Sequence, residues 1–215
     1  MATRTTTLSA EGLEKSFSGP TLFSGLDLSI ERGLLAVAGK NGSGKTTLLK
    51  ILAGLMRPSS GRVRVERDGR PLAGEERRLA VGWAGPDLSF YGELTALENL
   101  RFFRRAAGRT ADLSELARRL EEAGLPPEAT RRPVAEYSTG MRQRLRLAFA
   151  RLFDPPVLLL DEPMAGLDAD GREMVLGAVA RLRSESAVVL ASNDERDFGE
   201  PDQRIDLGRV GSPKA

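Results

Sequence analysis

The run Gly39-Lys40-Asn41-Gly42-Ser43-Gly44-Lys45-Thr46-Thr47 sets two glycines five residues apart and follows the second with lysine and threonine. That spacing suits the holding of a chain of phosphates. Glycines let the backbone curl so that several N–H groups converge on phosphate oxygens, and Lys45 supplies the cation for the β- and γ-phosphates. Thr46 offers a hydroxyl to a magnesium ion. Far downstream, Val157-Leu158-Leu159-Leu160 runs into Asp161-Glu162. An apolar strand that delivers carboxylates at its C-terminal end makes the second half of such a nucleotide site. Asp161 would hold the magnesium through its water shell, and Glu162 would stand where it orients or polarises an attacking water. An acidic strand end is commonplace by itself; beside the complete glycine-rich loop it reads as chemistry.

These residues need particular elements to position them. Leu34-Leu35-Ala36-Val37-Ala38 is an apolar run of buried-strand type and leads straight into the loop. After the loop, Leu48, Leu49, Ile51, Leu52 and Leu55 recur at helical spacing, and Gly54 and Pro58 close the segment. A helix starting near Lys45 turns its positive dipole end to the phosphates. Residues 61–66 alternate as a half-exposed strand. From about 88 to 152 the chain reads as short Arg- and Glu-rich helical segments, broken at Gly108, Gly124 and Pro126-Pro127. Residues 171–183 form an amphipathic helix, 187–191 another buried strand, and 208–215 a loose tail. Buried strands alternating with helices predict an α/β fold with a mainly parallel sheet covered on both faces. The middle stretch interrupts that alternation. The expectation is one domain over 1–215, with a core of 1–87 and 153–215 and a helical subdomain inserted over about 88–152.

The 215 residues carry 32 basic and 30 acidic side chains, a net charge of +2, with 40% hydrophobic and 29% charged content. Such values describe a soluble globular chain, and no stretch approaches the roughly 18 uncharged apolar residues that span a bilayer. Met1 to Ala10 holds no apolar core of leader type, so a cytoplasmic protein is expected. The chain has no cysteine and no histidine. Disulfides, thiol nucleophiles, thiolate metal sites and imidazole proton shuttles are therefore excluded. Carboxylates, hydroxyls, Lys, Arg, backbone amides and an oxygen-held metal remain. The basic side chains are mostly arginines scattered among acids, as on a solvated surface, so no nucleic-acid partner is expected.

Between the two halves of the phosphate site lies Tyr137-Ser138-Thr139-Gly140-Met141-Arg142-Gln143-Arg144. Physically, Ser138 is an N-cap for the helix carrying Leu145, Ala148, Phe149 and Leu152, and with Gly140 that helix start is a second place for an anion. Taken alone it is only a capped helix. In company with the loop and Asp161-Glu162, it resembles the signature of the ATP-binding subunits of ABC transporters, whose commonest form is Leu-Ser-Gly-Gly-Gln. Ser138 and Gly140 are kept; Tyr137, Thr139 and Met141 differ. The resemblance covers nearly the whole chain. Ala165-Gly166-Leu167-Asp168 is similar to the family's segment that crosses to a partner subunit. Phe17 falls where the family places a ring that stacks on adenine, or else is a packing or surface phenylalanine. Leu94 to Leu100 resembles the helix start that the family places near its membrane partner.

What the resemblance implies is a P-loop NTPase core with an antiparallel β part near the N-terminus. It further implies ATP with Mg²⁺, and a homo- or heterodimer in which each nucleotide lies between one subunit's Gly39–Thr47 and the other's Ser138 and Gly140. The partner that moves would be an integral membrane permease on a separate chain, which places this chain on the cytoplasmic face of the membrane. The short length and the Tyr-Ser-x-Gly-Met form are similar to exporter-type subunits, among them the haem-exporter subunit of cytochrome c maturation. Two family residues are absent. Where a glutamine usually follows the second sheet strand, this chain has Pro86, leaving Asp87 as the nearby oxygen ligand for the metal. Where the family carries a histidine at the γ-phosphate, Asn193 stands; it donates a hydrogen bond but carries no charge and relays no proton. Two readings stay open: a transport ATPase, or a subunit that binds ATP, closes and hydrolyses little.

Overall fold

The computed structural model describes residues 5–17 and 20–208. Strands β1 (Thr6–Ser16) and β2 (Thr21–Ile30) precede β3 (Gly33–Ala38) and helix α1 (Lys45–Ala53). Strands β4 (Ser60–Arg67) and β5 (Arg70–Pro71), helix α2 (Gly74–Ala80) and strand β6 (Val81–Ala84) come next. Three helices follow: α3 (Ala96–Ala106), α4 (Leu113–Glu122) and α5 (Thr139–Ala150). The chain then returns to alternation with β7 (Val157–Asp161), α6 (Ala169–Leu182), β8 (Ala187–Ser192) and β9 (Gln203–Asp206). The expected loose tail over 208–215 lies, beyond Gly208, outside the described residues.

Two sheets result. The first has the order β2-β1-β4-β5 with antiparallel pairs. The second, order β6-β7-β8-β3-β9, is parallel throughout. The apolar runs of β7 and β8 are buried at every position, because side chains alternate between two covered faces. Val157 and Leu159, with Val189 and Val37, join α1 and the inner face of the antiparallel sheet in one core. Leu158 and Leu160, with Val188 and Leu190, pack instead against Val175 and Val179 of α6. Helix α1 is thus pinned between the two sheets, and its N-terminus is held at the end of β3.

A third cluster is drawn from the middle of the chain: Leu100 of α3, Leu116 and Leu120 of α4, and Leu145 and Ala148 of α5. Arg119, 5% exposed, ties this unit to the chain entering β7. It donates to the Arg151 carbonyl at 2.7 Å and to both oxygens of Asp154 at 2.8 and 2.5 Å. Helix ends are fixed by caps: a capping box of Thr95 and Glu98 opens α3, and Ser138 accepts from the Met141 N–H at 3.2 Å to open α5.

Leu159 is fully buried in an interior strand. Its truncation to alanine is expected to cost about 3 kcal/mol, which lowers the thermal midpoint of a chain this size by roughly 6–12 °C. Circular dichroism melting of the variant beside the parent checks this.

Candidate nucleotide site

In the sheet order, β7, β8 and β3 are neighbours with their C-terminal ends side by side. The register sets Ala38 opposite Ser192 and Asp161 opposite Ala191. Three loops therefore leave one edge together: 39–44 from β3, Glu162 onward from β7, and Asn193 onward from β8. Ligands of open α/β sheets bind at such an edge.

The first loop has the backbone that phosphate requires. Gly42 and Gly44 sit at φ of 81° and 98°, where only glycine is comfortable. A side chain at Gly39 would meet the Ser43 oxygen at 2.4 Å. Gly44 is the N-cap of α1 and supplies no side chain to take the first-turn N–H groups, so these amides remain for an anion. Lys40, Asn41 and Ser43 complete the loop, and the Ser43 hydroxyl is buried without a partner.

Lys45 is buried at the loop's mouth, with 6% of its surface exposed. Its ammonium donates to the carbonyls of Gly39 at 2.9 Å and Lys40 at 3.3 Å, and lies 3.3 Å from Glu162 Oε1. Thr46, next on α1 before Thr47, donates its hydroxyl to Asp161 Oδ2 at 2.7 Å. The other oxygen of Asp161 is buried with no hydrogen-bond partner. Burial pushes the Asp161 carboxyl up, partly offset by the Thr46 hydroxyl. A buried carboxylate with one oxygen unsatisfied, beside a hydroxyl, is an all-oxygen donor set that fits Mg²⁺ completed by water and phosphate.

Glu162 holds a left-handed φ of 48°. Its N–H donates to the Ala191 carbonyl at 2.9 Å, and its carbonyl accepts from Gln143 Nε2 at 2.7 Å. Oε2 faces the Ser192 hydroxyl at 3.2 Å, and that hydroxyl is closer still to Asp197 Oδ2, at 2.5 Å. Asn193 reaches across to the first loop and donates to Asn41 Oδ1 at 2.9 Å.

Other expected residues are placed differently. The Asp87 carboxylate is engaged by the Lys50 ammonium at 2.5 Å, which holds it below its ordinary value. Asp87 is thus committed to α1 one turn beyond Thr46. Phe17 is 56% exposed, with Lys15 Nζ 4.7 Å from its ring centre, so it is a surface ring and not a core one. Thr139 and Gly140, just after the Ser138 cap, lie against the segment after Glu162: a Cβ at Gly140 would stand 3.3 Å from Leu167, and one at Gly166 2.9 Å from Thr139. Asp168 caps α6 by accepting from the Gly171 N–H at 2.8 Å. Lys50, Gln143, Arg146 and Asp197 escaped the sequence reading. Gln143, Arg146 and Asp197 sit in charge-rich stretches that resemble solvated surface, and Lys50 reads as the polar side of a leucine-rich helix; the available signal was the i, i+3 spacing of Gln143 and Arg146 on α5.

The family model for ABC transporters matches residues 23–165. The chain belongs to the ABC transporter family. Among relatives of this ATP-binding cassette, the daunorubicin resistance ATP-binding protein DrrA3 of Streptomyces coeruleorubidus is 36% identical over 95% of the cassette and 67% of its own length. The cytochrome c biogenesis ATP-binding export protein CcmA of Cupriavidus necator is 41% identical over 76% of the cassette and 72% of its own length. The Fe(3+) ions import ATP-binding protein FbpC 1 of Rhodococcus jostii is 32% identical, and the cassette spans 60% of it. In fold, the cassette is similar to the dimeric bacterial ABC transporter cassette MJ0796, with a TM-score of 0.81 at 23% identity over 94% of this chain and 96% of that one. The α/β architecture of one parallel and one antiparallel sheet is that of an ABC ATPase cassette.

Proposed function

We propose that this cassette is the ATP-binding subunit of a transporter: it binds ATP with magnesium and hydrolyses it to drive transport through a separate permease. The observation that carries the reading is the convergence of Lys45, Thr46, Asp161 and Glu162 where β3 and β7 end. In this scheme the 39–47 backbone and Lys45 hold the phosphates, and Phe17 offers its exposed face to the base. Thr46 and Asp161 would hold the magnesium, which neutralises developing phosphate charge. Glu162 orients the attacking water and takes its proton. Ser138, Gly140 and Asp168 would serve the nucleotide of a second subunit, so that ATP closes a dimer and product release opens it.

Among the described residues no helix is long and apolar enough to cross a membrane. Next to the Leu94–Leu100 helix start, Tyr91 and Phe102 stack edge to face at 4.8 Å and are 48% and 44% exposed. An exposed aromatic pair beside that start supports contact with the permease there. The helical unit over about 88–152 would carry that contact as one body. A haem-exporter subtype is supported by the CcmA likeness, while the drug-resistance and iron-import relatives attach other cargoes to the same kind of cassette. Titration with a fluorescent ATP analogue and measurement of phosphate release, with and without the co-purified permease, test the reading; neither binding nor release would end it.

A subunit that binds and closes but turns over slowly is favoured by one observation, the donation of Asn193 to Asn41 in place of a histidine. If Asn193 is the weak point, Asn193→His is expected to raise turnover on the order of 10-fold, since one well-placed donor at developing charge is worth up to about 10²-fold or more. A flat or lower ATPase rate would mean that Ser192, already on Glu162, has rebuilt the missing contact.

A further inference from the structure

Between the loop that follows β6 and the backbone of Glu162, four hydrogen bonds run through two side chains of α5, the longest from Arg146 Nε to the Leu88 carbonyl at 3.5 Å. Arg146 donates from Nη2 to the Pro86 carbonyl at 3.1 Å and from Nη1 to the Gln143 side-chain oxygen at 2.6 Å. Gln143, itself buried, donates from Nε2 to the Glu162 carbonyl at 2.7 Å. The amide of Gln143 is used at both ends, oxygen to guanidinium and nitrogen to carbonyl, so its orientation is fixed. The same loop is tied at Asp87 to Lys50 on α1, the helix that carries Lys45 and Thr46.

The residue at which this chain of bonds ends has a strained backbone. A left-handed glutamate persists only where its surroundings over-determine it. Here both flanking peptide groups are held, the N–H of Glu162 on Ala191 and its carbonyl on Gln143 at 2.7 Å and, more loosely, on the Ala165 N–H at 3.1 Å. The backbone angles so fixed set the direction in which the carboxylate leaves the strand towards Lys45. Pro86 has only a carbonyl to offer, and a guanidinium with five donors can hold that carbonyl and the Gln143 amide at once.

We propose that Arg146 and Gln143 are positioning residues that transmit the place of loop 86–88 to the Glu162 carboxylate. They do through α5 what the side chain of Pro86 cannot do. The inference rests on the reading of Glu162 as the residue that activates water. A shift of the loop by an ångström pulls on Arg146, then on the Glu162 carbonyl, and turns the carboxylate out of line.

The test is steady-state ATP hydrolysis by the full chain across a range of ATP concentrations, for Arg146→Met, Gln143→Glu, the double variant and Arg146→Lys, with Glu162→Gln as reference. Arg146→Met keeps bulk and removes the donors. Gln143→Glu keeps the contact with Arg146 but sets a carboxylate against the Glu162 carbonyl. Each is expected to lower kcat on the order of 10-fold, towards the 10²-fold that a misplaced catalytic group costs. The KM for ATP should stay within about two-fold, because the phosphate loop is untouched. The double variant should fall no further than the worse single, since both cut one chain of bonds, and Arg146→Lys, which keeps the charge and three donors but not the planar fork, should lie between Arg146→Met and the parent. An undiminished kcat in either single variant, or a double whose loss is the product of the two, overturns the relay. Should Arg146→Met fail to fold, Gln143→Glu and Arg146→Lys decide: parent kcat in Gln143→Glu, or no more activity in Arg146→Lys than in Gln143→Glu, overturns it. A Glu162→Gln protein that hydrolyses at the parent rate removes the reading of Glu162 itself, which separates the two failures.

Discussion

Replacing Lys45 with alanine is expected to weaken ATP binding by about 10- to 150-fold, the equivalent of the 1.5–3 kcal/mol that a charge-assisted hydrogen bond contributes. The ammonium is already desolvated, and its three donors are aimed at Gly39, Lys40 and Glu162. It therefore meets phosphate in a prepared geometry with little ordering left to pay for. Removing it has a second effect, because Glu162 loses the cation at 3.3 Å that balances it. A polyphosphate then enters facing an unopposed carboxylate. Hydrolysis should disappear with binding at ordinary ATP concentrations. Titration of a fluorescent ATP analogue into parent and variant reads the effect, and unchanged affinity would remove the phosphate-loop assignment.

The second large effect is expected at Glu162. Exchange for glutamine keeps the shape and still accepts the Ser192 hydroxyl, but leaves no base for the proton of an attacking water. General-base catalysis is typically worth 10²–10⁴-fold, and a fall in kcat of about that size should follow. Binding should hold or tighten, because Lys45 is released from its ion pair and faces the phosphates alone. A bound, uncleaved ATP is the condition for the closed dimer to accumulate. Gel filtration with ATP and magnesium should therefore show a species of twice the mass, absent with ADP. A variant that stays monomeric, or that turns over like the parent, would show that Glu162 has no part in the chemistry.

Much of the fold was legible because burial writes it plainly. The strands at 33–38, 157–161 and 187–192 are covered on both faces, so their sequences are apolar runs, and glycine, acid or serine punctuates their ends. Helix α1 announced itself by its leucine spacing and by Gly54, whose left-handed φ of 77° closes it. Strand β9 was invisible for the opposite reason. As an edge strand, Gln203-Arg204-Ile205-Asp206 needs one buried side only, and its arginine is engaged by Glu195 and Asp206 instead of by a core. Helix α2 buries Ala80 alone among its seven residues and left no periodic signal. In the candidate site, spacing marked the run Gly39 to Thr47 along the chain and the carboxylates that a strand end delivers. It did not reveal that Asp87 would be taken by Lys50, or that Gln143 would turn inwards to a backbone carbonyl. Those pairings depend on loops meeting across the sheet edge, which no local pattern encodes.

The place of β3 in its sheet also has a consequence for how the chain is made. Residues 33–38 leave the ribosome well before both strands that flank them, β8 and β9. Until those two strands arrive, an unbroken apolar strand, joined to an unformed phosphate loop, has no neighbour on either side. Long-range pairing of this kind is slow and leaves strand edges open to other chains. Nascent chains arrested before about residue 187 should bind no nucleotide and lean on chaperones, and competence should arrive abruptly once β8 and β9 clear the exit tunnel.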